Sequence, residues 1–345
     1  MPVATRLRRL YARLVPPKDH WDHFLATVTR ESLTFDPAMD AAAKRALFRR
    51  NVTLVELEPH AYCNRTCSFC PNAVIDRLTV KTRLDRGLYE RVLGDLQAIE
   101  YAGVLRFARY SEPLADAHIY EMLAMARRAL PRATIDLISN GDFLTPERLT
   151  RLRDAGLSIL RISVYMRKGV PWTSDAARDE IERLGRRVGI APRWSAATAV
   201  SVGADFPYDG LEIVAFSHDF DEIGYDRGQL LSQLTDEGYV RRSPCFMVFS
   251  NFTVDFDGKV MPCCNLRGDH PAHAGYVVGD LSRGDVSVFD VYASRIFSEW
   301  RRSLAGVGDK ADPCRTCKQK TLEGPDLERL QRALAPKLRR AGLTP

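Results

Sequence analysis

The chain has 345 residues, which is long enough for one large domain and a smaller one. Apolar residues make up 45% of it, so a globular fold is expected, and no apolar run approaches the roughly 18–20 residues that a membrane-spanning helix needs. The 50 basic and 44 acidic residues are interleaved, so the net charge of +6 does not indicate nucleic-acid binding. The basic segment 1–17 lacks the apolar stretch of a secretory signal, and we expect a cytoplasmic location.

Between residues 51 and 216, segments that predict strands alternate with segments of helical spacing. In residues 85–99, for example, Leu88, Val92 and Leu96 fall on one helical face. The predicted strands are residues 52–57, 104–107, 134–138, 158–164, 192–200 and 211–216. Such alternation implies parallel pairing with right-handed crossovers, and six strands are too few for a closed eight-stranded barrel. We therefore expect an α/β fold, a partial (β/α)6 TIM-like barrel with ligands at the carboxyl ends of its strands.

The pattern changes beyond about residue 225. Residues 252–260 alternate around Asp257-Gly258, which is a hairpin signal, and residues 294–304 and 326–343 have the spacing of helices. This part of the chain also carries five of the eight cysteines. The predicted domains are a mostly helical extension (1–50), the barrel (51–225) and a small cysteine-rich domain (226–345).

The first group of cysteines has the spacing C-x3-C-x2-C and consists of Cys63, Cys67 and Cys70 on one loop after a predicted strand. Three thiolates can hold three irons of a 4Fe–4S cluster and leave the fourth iron open to a ligand. Zinc is the alternative. A structural zinc site takes four ligands, however, and the nearest candidate for the fourth is His60.

This loop resembles the signature of the radical S-adenosylmethionine (SAM) superfamily, with Phe69 just before the last cysteine. In that family the aromatic side chain packs near the SAM adenine. Residues 109–113 look like a variant of the family's Gly-Gly-Glu-Pro motif, in which Tyr110 and Ser111 replace the glycines. The resemblance makes Glu112 the partner of the SAM ammonium group.

Two further strand ends are similar to SAM-binding positions of the family. Ser139 and Asn140 end the third predicted strand, where the family contacts the SAM ribose or carboxylate, although Ser-Asn-Gly is also a common turn. Ser163, at the end of the next strand, and Arg167 are candidates for the SAM carboxylate, with ordinary loop chemistry as the alternative.

The second group of cysteines consists of Cys245, Cys263, Cys264, Cys314 and Cys317. Residues 258–263 match the G-x4-C element of SPASM and twitch domains, which add auxiliary clusters to radical SAM enzymes. Five cysteines allow only one cluster, as in the shorter twitch form. The resemblance implies that all of them except Cys264 hold a second 4Fe–4S cluster, and a four-cysteine zinc site is the alternative.

Cys264 is left over from this assignment. It can fill space beside the cluster as a small apolar side chain, or replace Cys263 as the ligand. In a third interpretation its thiol is catalytic, faces the substrate and donates a hydrogen atom, as a cysteine does in some radical SAM epimerases.

The resemblance also implies a reaction. A reduced open cluster passes one electron to SAM, and the resulting 5′-deoxyadenosyl radical takes hydrogen from the substrate. A fully ligated auxiliary cluster can accept or relay an electron, which suits dehydrogenation. We predict an oxidoreductase or epimerase that acts on a small polar biosynthetic substrate, such as a sugar or aminocyclitol. Its cofactors would be SAM and two 4Fe–4S clusters, reduced by a flavodoxin- or ferredoxin-type donor.

Two other functions are compatible with the sequence. One is radical modification of a peptide substrate, although residues 1–50 are too short for the winged-helix peptide-recognition domain that many such enzymes carry. The other is a zinc-organised binding protein without catalysis. Four residues near predicted strand ends are weaker candidates for substrate contacts, namely Arg161, Tyr165, Arg193 and His218.

Overall fold

Six neighbouring parallel strands form the centre of one twisted sheet in the computed structural model, which describes residues 17–167, 169–195 and 197–343. Within these residues the sheet has ten strands in the order β10-β9-β8-β1-β2-β3-β4-β7-β6-β5. The strands are β1 Leu54–Leu57, β2 Val104–Phe107, β3 Thr134–Ser139, β4 Ile159–Ser163, β5 Arg193–Trp194, β6 Ser201–Phe206, β7 Glu212–His218, β8 Asn251–Val254, β9 Lys259–Met261 and β10 Gly279–Asp280.

Helices connect these strands and extend the chain at both ends. The α-helices are Pro17–Thr27, Arg30–Leu33, Ala41–Asn51, Arg86–Ala98, His118–Ala129, Pro146–Asp154, Ser174–Val188, Phe220–Ile223, Met247–Ser250, Val288–Tyr292, Arg295–Ala305 and Gly324–Arg340. The 3-10 helices are Pro71–Ala73, Pro113–Ala115, Ser232–Leu234, Pro271–Tyr276 and Leu281–Arg283. Among the described residues, no helix combines the length and the apolar character needed to cross a bilayer.

Local sequence explains where the crossover helices begin and end. Side chains of Asp85, Thr145 and Thr173 each accept a hydrogen bond from a backbone N–H in the first turn of the helix that follows. These caps satisfy donors that a helix start leaves free. Helix Ser174–Val188 ends at Gly189, whose φ of 73° lies in the left-handed region that favours glycine.

The prediction of an open, partial barrel is confirmed, because the described sheet ends at two edge strands and does not close. The prediction of a strand over residues 192–200 was wrong. Among the described residues of this range, only Arg193–Trp194 is a strand, and β6 follows at Ser201–Phe206, antiparallel to β7. The glycine and small residues of β6 gave a weak strand signal, and its conformation depends on pairing with β7.

The predicted hairpin is confirmed, since β8 and β9 are antiparallel. The sequence did not predict that β8 also pairs in parallel with β1, from Leu54 opposite Asn251 to Leu57 opposite Val254. One sheet thus runs across the predicted boundary at residue 225. The division into three domains remains a prediction, and residues 1–16 of the N-terminal extension lie outside the described residues.

A second hydrophobic core lies apart from the one that covers the sheet. It joins the N-terminal helices, the segment after Cys245 and the last helix. Its large buried side chains are Phe24, Val28, Leu33, Phe246, Met247, Val248, Phe249, Leu304, Leu330, Leu334 and Leu338. Cys245, Cys264 and Cys314 pack against this core, so both ends of the described chain support the cysteine-rich region.

Four neighbouring parallel strands each carry one charged residue within an apolar run. Asp136 on β3 is fully buried and accepts hydrogen bonds from Arg106 on β2, at 2.7 Å, and Arg161 on β4, at 2.9 Å. Glu56 lies opposite Arg106 on β1. The sheet therefore holds a row of alternating charges that neutralise one another.

We expect Asp136→Ala to destabilise the protein by about 3–5 kcal/mol, because it leaves two partly buried guanidinium groups without their carboxylate. Anaerobic equilibrium unfolding in urea measures this change. Asp154→Ala removes the partner of Arg153 from an exposed pair and should leave the unfolding midpoint unchanged. Equal midpoints for the two variants would contradict the role given to Asp136.

Candidate active site

A cavity of about 210 Å³ lies at the carboxyl ends of the central strands and brings together residues that are far apart in the sequence. Most of the predicted site residues line it, namely Cys63, Cys67, Phe69, Cys70, Glu112, Ser139, Asn140 and Cys264. This position agrees with the expectation that ligands of such sheets bind beyond the carboxyl ends of the strands.

The loop that carries the first three cysteines is fixed to the end of β3. Arg65 donates two hydrogen bonds of 2.6 Å to the carboxylate of Asp142, and Asn64 donates to the same group at 2.7 Å. Asn140 in turn donates to the Oδ1 atom of Asn64 at 2.8 Å. These bonds hold the cysteine loop beside the predicted SAM-binding turn.

Glu112 is buried at the centre of the site, and its carboxylate accepts three hydrogen bonds. The donors are the hydroxyl of Ser139 at 2.7 Å, the backbone N–H of Asn140 at 2.6 Å and the backbone N–H of Leu114 at 3.0 Å. Burial raises the pKa of Glu112 to about 7, although the hydrogen bonds oppose this effect. An ammonium group in the cavity would favour the ionised form and gain a charged partner.

The residues of the variant Gly-Gly-Glu-Pro motif connect this site to the C-terminal part of the chain. Arg109 has a φ of 90°, is fully buried and forms an ion pair with Asp255. The hydroxyl of Tyr110 donates to the backbone carbonyl of Cys264 at 2.8 Å. The bulky side chains at the variant motif thus hold the segment that follows β9 against the cavity.

A neighbouring cavity of about 480 Å³ shares an aromatic wall with the first. Phe69 stacks on Phe220 with 3.9 Å between the ring centroids, and Tyr165 lies 5.2 Å from Phe69. Arg167 and His218 line this second cavity. Among the candidate residues, Cys67, Phe69 and Tyr165 line both cavities.

Three candidate residues lie elsewhere. Ser163 is buried at the end of β4 and is not among the residues that line either cavity. Arg161 pairs with Asp136 inside the sheet, and Arg193 is exposed on the edge strand β5. Sequence position near a strand end was not sufficient to place these side chains in the site.

The second group of cysteines forms a separate cluster of thiols. Cys263 lies within electrostatic reach of Cys245, Cys314 and Cys317 as well as of its neighbour Cys264. Cys264, in contrast, lines the central cavity, where its charged neighbours are Glu56, Arg227 and Arg109. Adjacent cysteines therefore face two different sites.

The thiols of both groups are free. Burial favours the protonated form of Cys63 and Cys67. It raises the pKa of Cys63 to about 11 and that of Cys67 to about 12. Metals bind cysteine as the thiolate, so loading these sites must release protons. In the described part of the chain, no three His, Cys, Asp or Glu side chains are placed to hold a single metal ion.

Comparison with known proteins identifies both parts of the chain. The family model of the radical SAM superfamily matches residues 57–166, and that of SPASM, an iron–sulfur cluster-binding domain, matches residues 245–318. The chain belongs to the radical SAM superfamily. The match to an iron–sulfur domain also sets aside the zinc alternative for the second group.

One curated relative of this radical SAM enzyme is the S-adenosyl-L-methionine-dependent 2-deoxy-scyllo-inosamine dehydrogenase of Niallia circulans. It is 26% identical over 266 residues, which cover 77% of this chain and 92% of the relative. The solved structure of BtrN with AdoMet and 2-DOIA is similar, with a TM-score of 0.53, 23% identity and coverage of 74% of this chain and 87% of BtrN. BtrN in an open conformation gives a TM-score of 0.51, 22% identity and coverage of 78% and 92%.

The donor sets of this enzyme fit the cofactors that the two domains imply, SAM and 4Fe–4S clusters. Four mutually close thiols in the second group match a fully ligated cluster. Three thiols in the first group match a cluster with one open iron, next to a buried carboxylate suited to the SAM ammonium group.

Sequence reasoning missed several cavity residues, above all Glu56 and Arg227. The available signal for Glu56 was a charged residue inside the apolar run of β1, because an ionised side chain is seldom buried without a function or a partner. Arg227 lies in an irregular loop, and its approach to the cavity had no local sequence signal.

We expect Glu112→Gln to weaken SAM binding at least tenfold, since the ammonium group loses its charged partner, a hydrogen bond of about 1.5–3 kcal/mol. Equilibrium dialysis against the reconstituted protein measures the affinity. Glu147→Gln changes an exposed acid at a helix start and should leave the affinity unaltered. Tight SAM binding by Glu112→Gln would remove Glu112 from the SAM site.

Iron and sulfide analysis tests the ligand sets. Cys63→Ala and Cys263→Ala should each halve the iron content, because each removes a ligand of one cluster only. Cys264→Ala should retain the full content, since its thiol faces the cavity. Loss of iron in Cys264→Ala together with retention in Cys263→Ala would assign the ligand position to Cys264.

Proposed function

We propose that this radical SAM enzyme dehydrogenates a hydroxyl-bearing carbon of a small polar metabolite of the aminocyclitol or amino-sugar type. The observation that carries the proposal is the common cavity of the three-cysteine loop, Glu112, Glu56 and Cys264. The dehydrogenase from Niallia circulans, matched over 92% of its length, supports this type of substrate.

The proposed roles divide the cysteines between two clusters. Cys63, Cys67 and Cys70 hold the open cluster, and the four-thiol group around Cys263 holds the auxiliary cluster. When bound, these groups and SAM supply reductive cleavage of SAM, a hydrogen-atom acceptor and a one-electron acceptor. The remaining chemistry consists of binding, orientation and proton transfer by the chain's own residues.

Glu112 orients SAM by holding its ammonium group, and Phe69 with Phe220 forms an apolar wall for the adenine. Ser139 and Asn140 fix the Glu112 carboxylate through their hydrogen bonds, so they position SAM indirectly as well. This rigid arrangement keeps the reacting atoms aligned.

Glu56 is the second buried carboxylate of the cavity, and burial raises its pKa. We assign it the hydroxyl proton that the substrate releases as its carbon becomes a carbonyl. A carboxylate with a raised pKa is a better proton acceptor than an ordinary one. The nearby guanidinium groups of Arg109 and Arg106 stabilise its charged form before the transfer.

The position of Cys264 supports a second candidate function, epimerisation. A thiol on the cavity wall can return a hydrogen atom to the opposite face of the substrate carbon. The electron donor would then supply one electron, and solvent one proton, to restore the thiol. Peptide modification, the other alternative, has no comparable observation in its favour.

The enzyme needs one electron for each SAM cleaved. We propose a flavodoxin- or ferredoxin-type donor in the cytoplasm, where such low-potential carriers are kept reduced. Reconstitution with each carrier in place of a chemical reductant tests this part of the proposal.

Anaerobic incubation with reductant and SAM tests the main proposal. The panel contains aminocyclitols, amino sugars, the corresponding sugars without the amino group and short peptides, and mass spectrometry follows 5′-deoxyadenosine and each substrate. We expect 5′-deoxyadenosine together with a product lighter by H2 from an aminocyclitol or amino sugar. Formation of 5′-deoxyadenosine and a modified product with peptides alone would overturn the proposal.

Cys264→Ala separates dehydrogenation from epimerisation. If the reaction is dehydrogenation, the variant should form the carbonyl product at an unchanged rate. If the product of the native enzyme is instead an epimer that gains deuterium in D2O, the variant should continue to cleave SAM but lose the epimer. Retained epimer formation in the variant would exclude Cys264 as the hydrogen donor.

A further inference from the structure

Arg241 places a permanently charged group beside the second group of cysteines. It is 1% exposed, and its guanidinium donates to four backbone carbonyls, those of Ser243 at 3.0 Å, Pro244 at 2.6 Å, Gln319 at 2.8 Å and Cys317 at 3.3 Å. The Nη1 atom also lies 3.7 Å from the Sγ atom of Cys317, within hydrogen-bond distance for sulfur. The side chain is therefore held rigidly with one edge against a cluster ligand.

No carboxylate forms an ion pair with Arg241 in the part of the chain that the structure describes. The ionisable groups that act on its charge are the thiols of Cys245, Cys317 and Cys314, followed by the phenol of Tyr239. Burial of an unpaired charge is costly, so a buried guanidinium needs a negative partner. The thiolates of an assembled cluster are the partner that this site offers.

Other contacts make the surroundings of these sulfurs electropositive. The backbone N–H of Asn265 donates to the Sγ atom of Cys263 at 3.3 Å, and its side-chain amide lies 3.8 Å from the Sγ atom of Cys317. Lys310 is 7% exposed and lies near Cys245 and Cys314. Net charge and hydrogen bonds to sulfur are the main means by which a protein sets the potential of an iron–sulfur cluster.

We infer that Arg241 raises the reduction potential of the auxiliary cluster and so makes it the acceptor of the substrate's electron. Reduction adds a negative charge to the cluster, and a fixed cation close to the sulfurs stabilises the reduced form more than the oxidised one. This inference rests on the proposed function, since it explains how an auxiliary cluster can drive a dehydrogenation.

The substrate loses two electrons and two protons in this oxidation. The substrate C–H bond breaks, and its hydrogen atom goes to the fragment that SAM yields. The carbon that remains forms a C=O bond as its hydroxyl loses a proton to Glu56 and one electron to the auxiliary cluster. A later transfer to the external one-electron carrier returns the cluster to its starting state.

Redox titration of the full holoenzyme, monitored by EPR without substrate, tests this inference. The open cluster is recognised because its signal changes on addition of SAM. Arg241→Gln should lower the equilibrium constant for reduction of the auxiliary cluster about tenfold, which is about 59 mV for a one-electron couple. Arg241→Lys keeps the charge but withdraws the N–H from Cys317, so we expect a smaller decrease.

Arg301→Gln is the matched control. Arg301 is also fully buried and also donates to backbone carbonyls, those of Ser32 and Tyr292, but it stacks over the ring of Tyr292 instead of meeting a cysteine. Arg301→Gln should leave the reduction potential of the auxiliary cluster unchanged, even if it lowers the stability of the protein as much as Arg241→Gln does.

An unchanged potential in Arg241→Gln with full iron content would overturn the inference. If that variant does not retain its iron, an unchanged potential in Arg241→Lys would overturn it. Because the titration contains no substrate, a shifted potential in a protein that oxidises no aminocyclitol or amino sugar would refute the proposed function alone. Oxidation of such a substrate with no shift in the variants would refute the role of Arg241 alone.

Discussion

Strand β1 is hydrogen-bonded on both sides, in parallel with β2 and with β8, and this pairing decides which residues can meet. Leu57 lies opposite Phe107 on one side and Val254 on the other. Three segments therefore leave the sheet at the same level and on the same edge, namely the first cysteine loop, the variant Gly-Gly-Glu-Pro motif and the hairpin that leads to Cys263 and Cys264. A shift of one residue in either register would reverse the direction of every side chain on the shifted strand and separate these parts.

Charges and polar groups that the sheet brings together must neutralise one another, because they are removed from water. Arg77 meets Glu58 at 3.1 Å and Asp269 at 2.8 Å, and Arg109 meets Asp255. Breaking one such pair is strongly destabilising, since it leaves a buried charge without compensation. The same contacts join the barrel to the C-terminal segment, so the two cluster sites share one rigid polar layer.

Features with a local cause could be predicted from the sequence. The three-cysteine loop could be recognised from the short C-x3-C-x2-C spacing, and the β8–β9 hairpin from its turn residues. Contacts that arise from long-range pairing could not be predicted, because no local pattern encodes them. Glu56 reaches the cavity, and Arg241 meets Cys317, only after distant segments have packed together. The variant motif is an intermediate case, in which Glu112 was recognisable but the contact from Tyr110 to Cys264 required the fold.

The second hydrophobic core has a consequence for the biosynthesis of the enzyme. It contains side chains from the N-terminal helices and from the last helix, Gly324–Arg340, and Cys245, Cys264 and Cys314 of the second group pack against it. Because translation proceeds from the N-terminus, this core cannot close while the last helix is still inside the ribosome. The cysteine loop after β1 is synthesised much earlier, and its supporting strands β2 and β3 follow directly. The order of synthesis thus favours maturation of the auxiliary centre only after helix Gly324–Arg340 has left the ribosome and packed into this core.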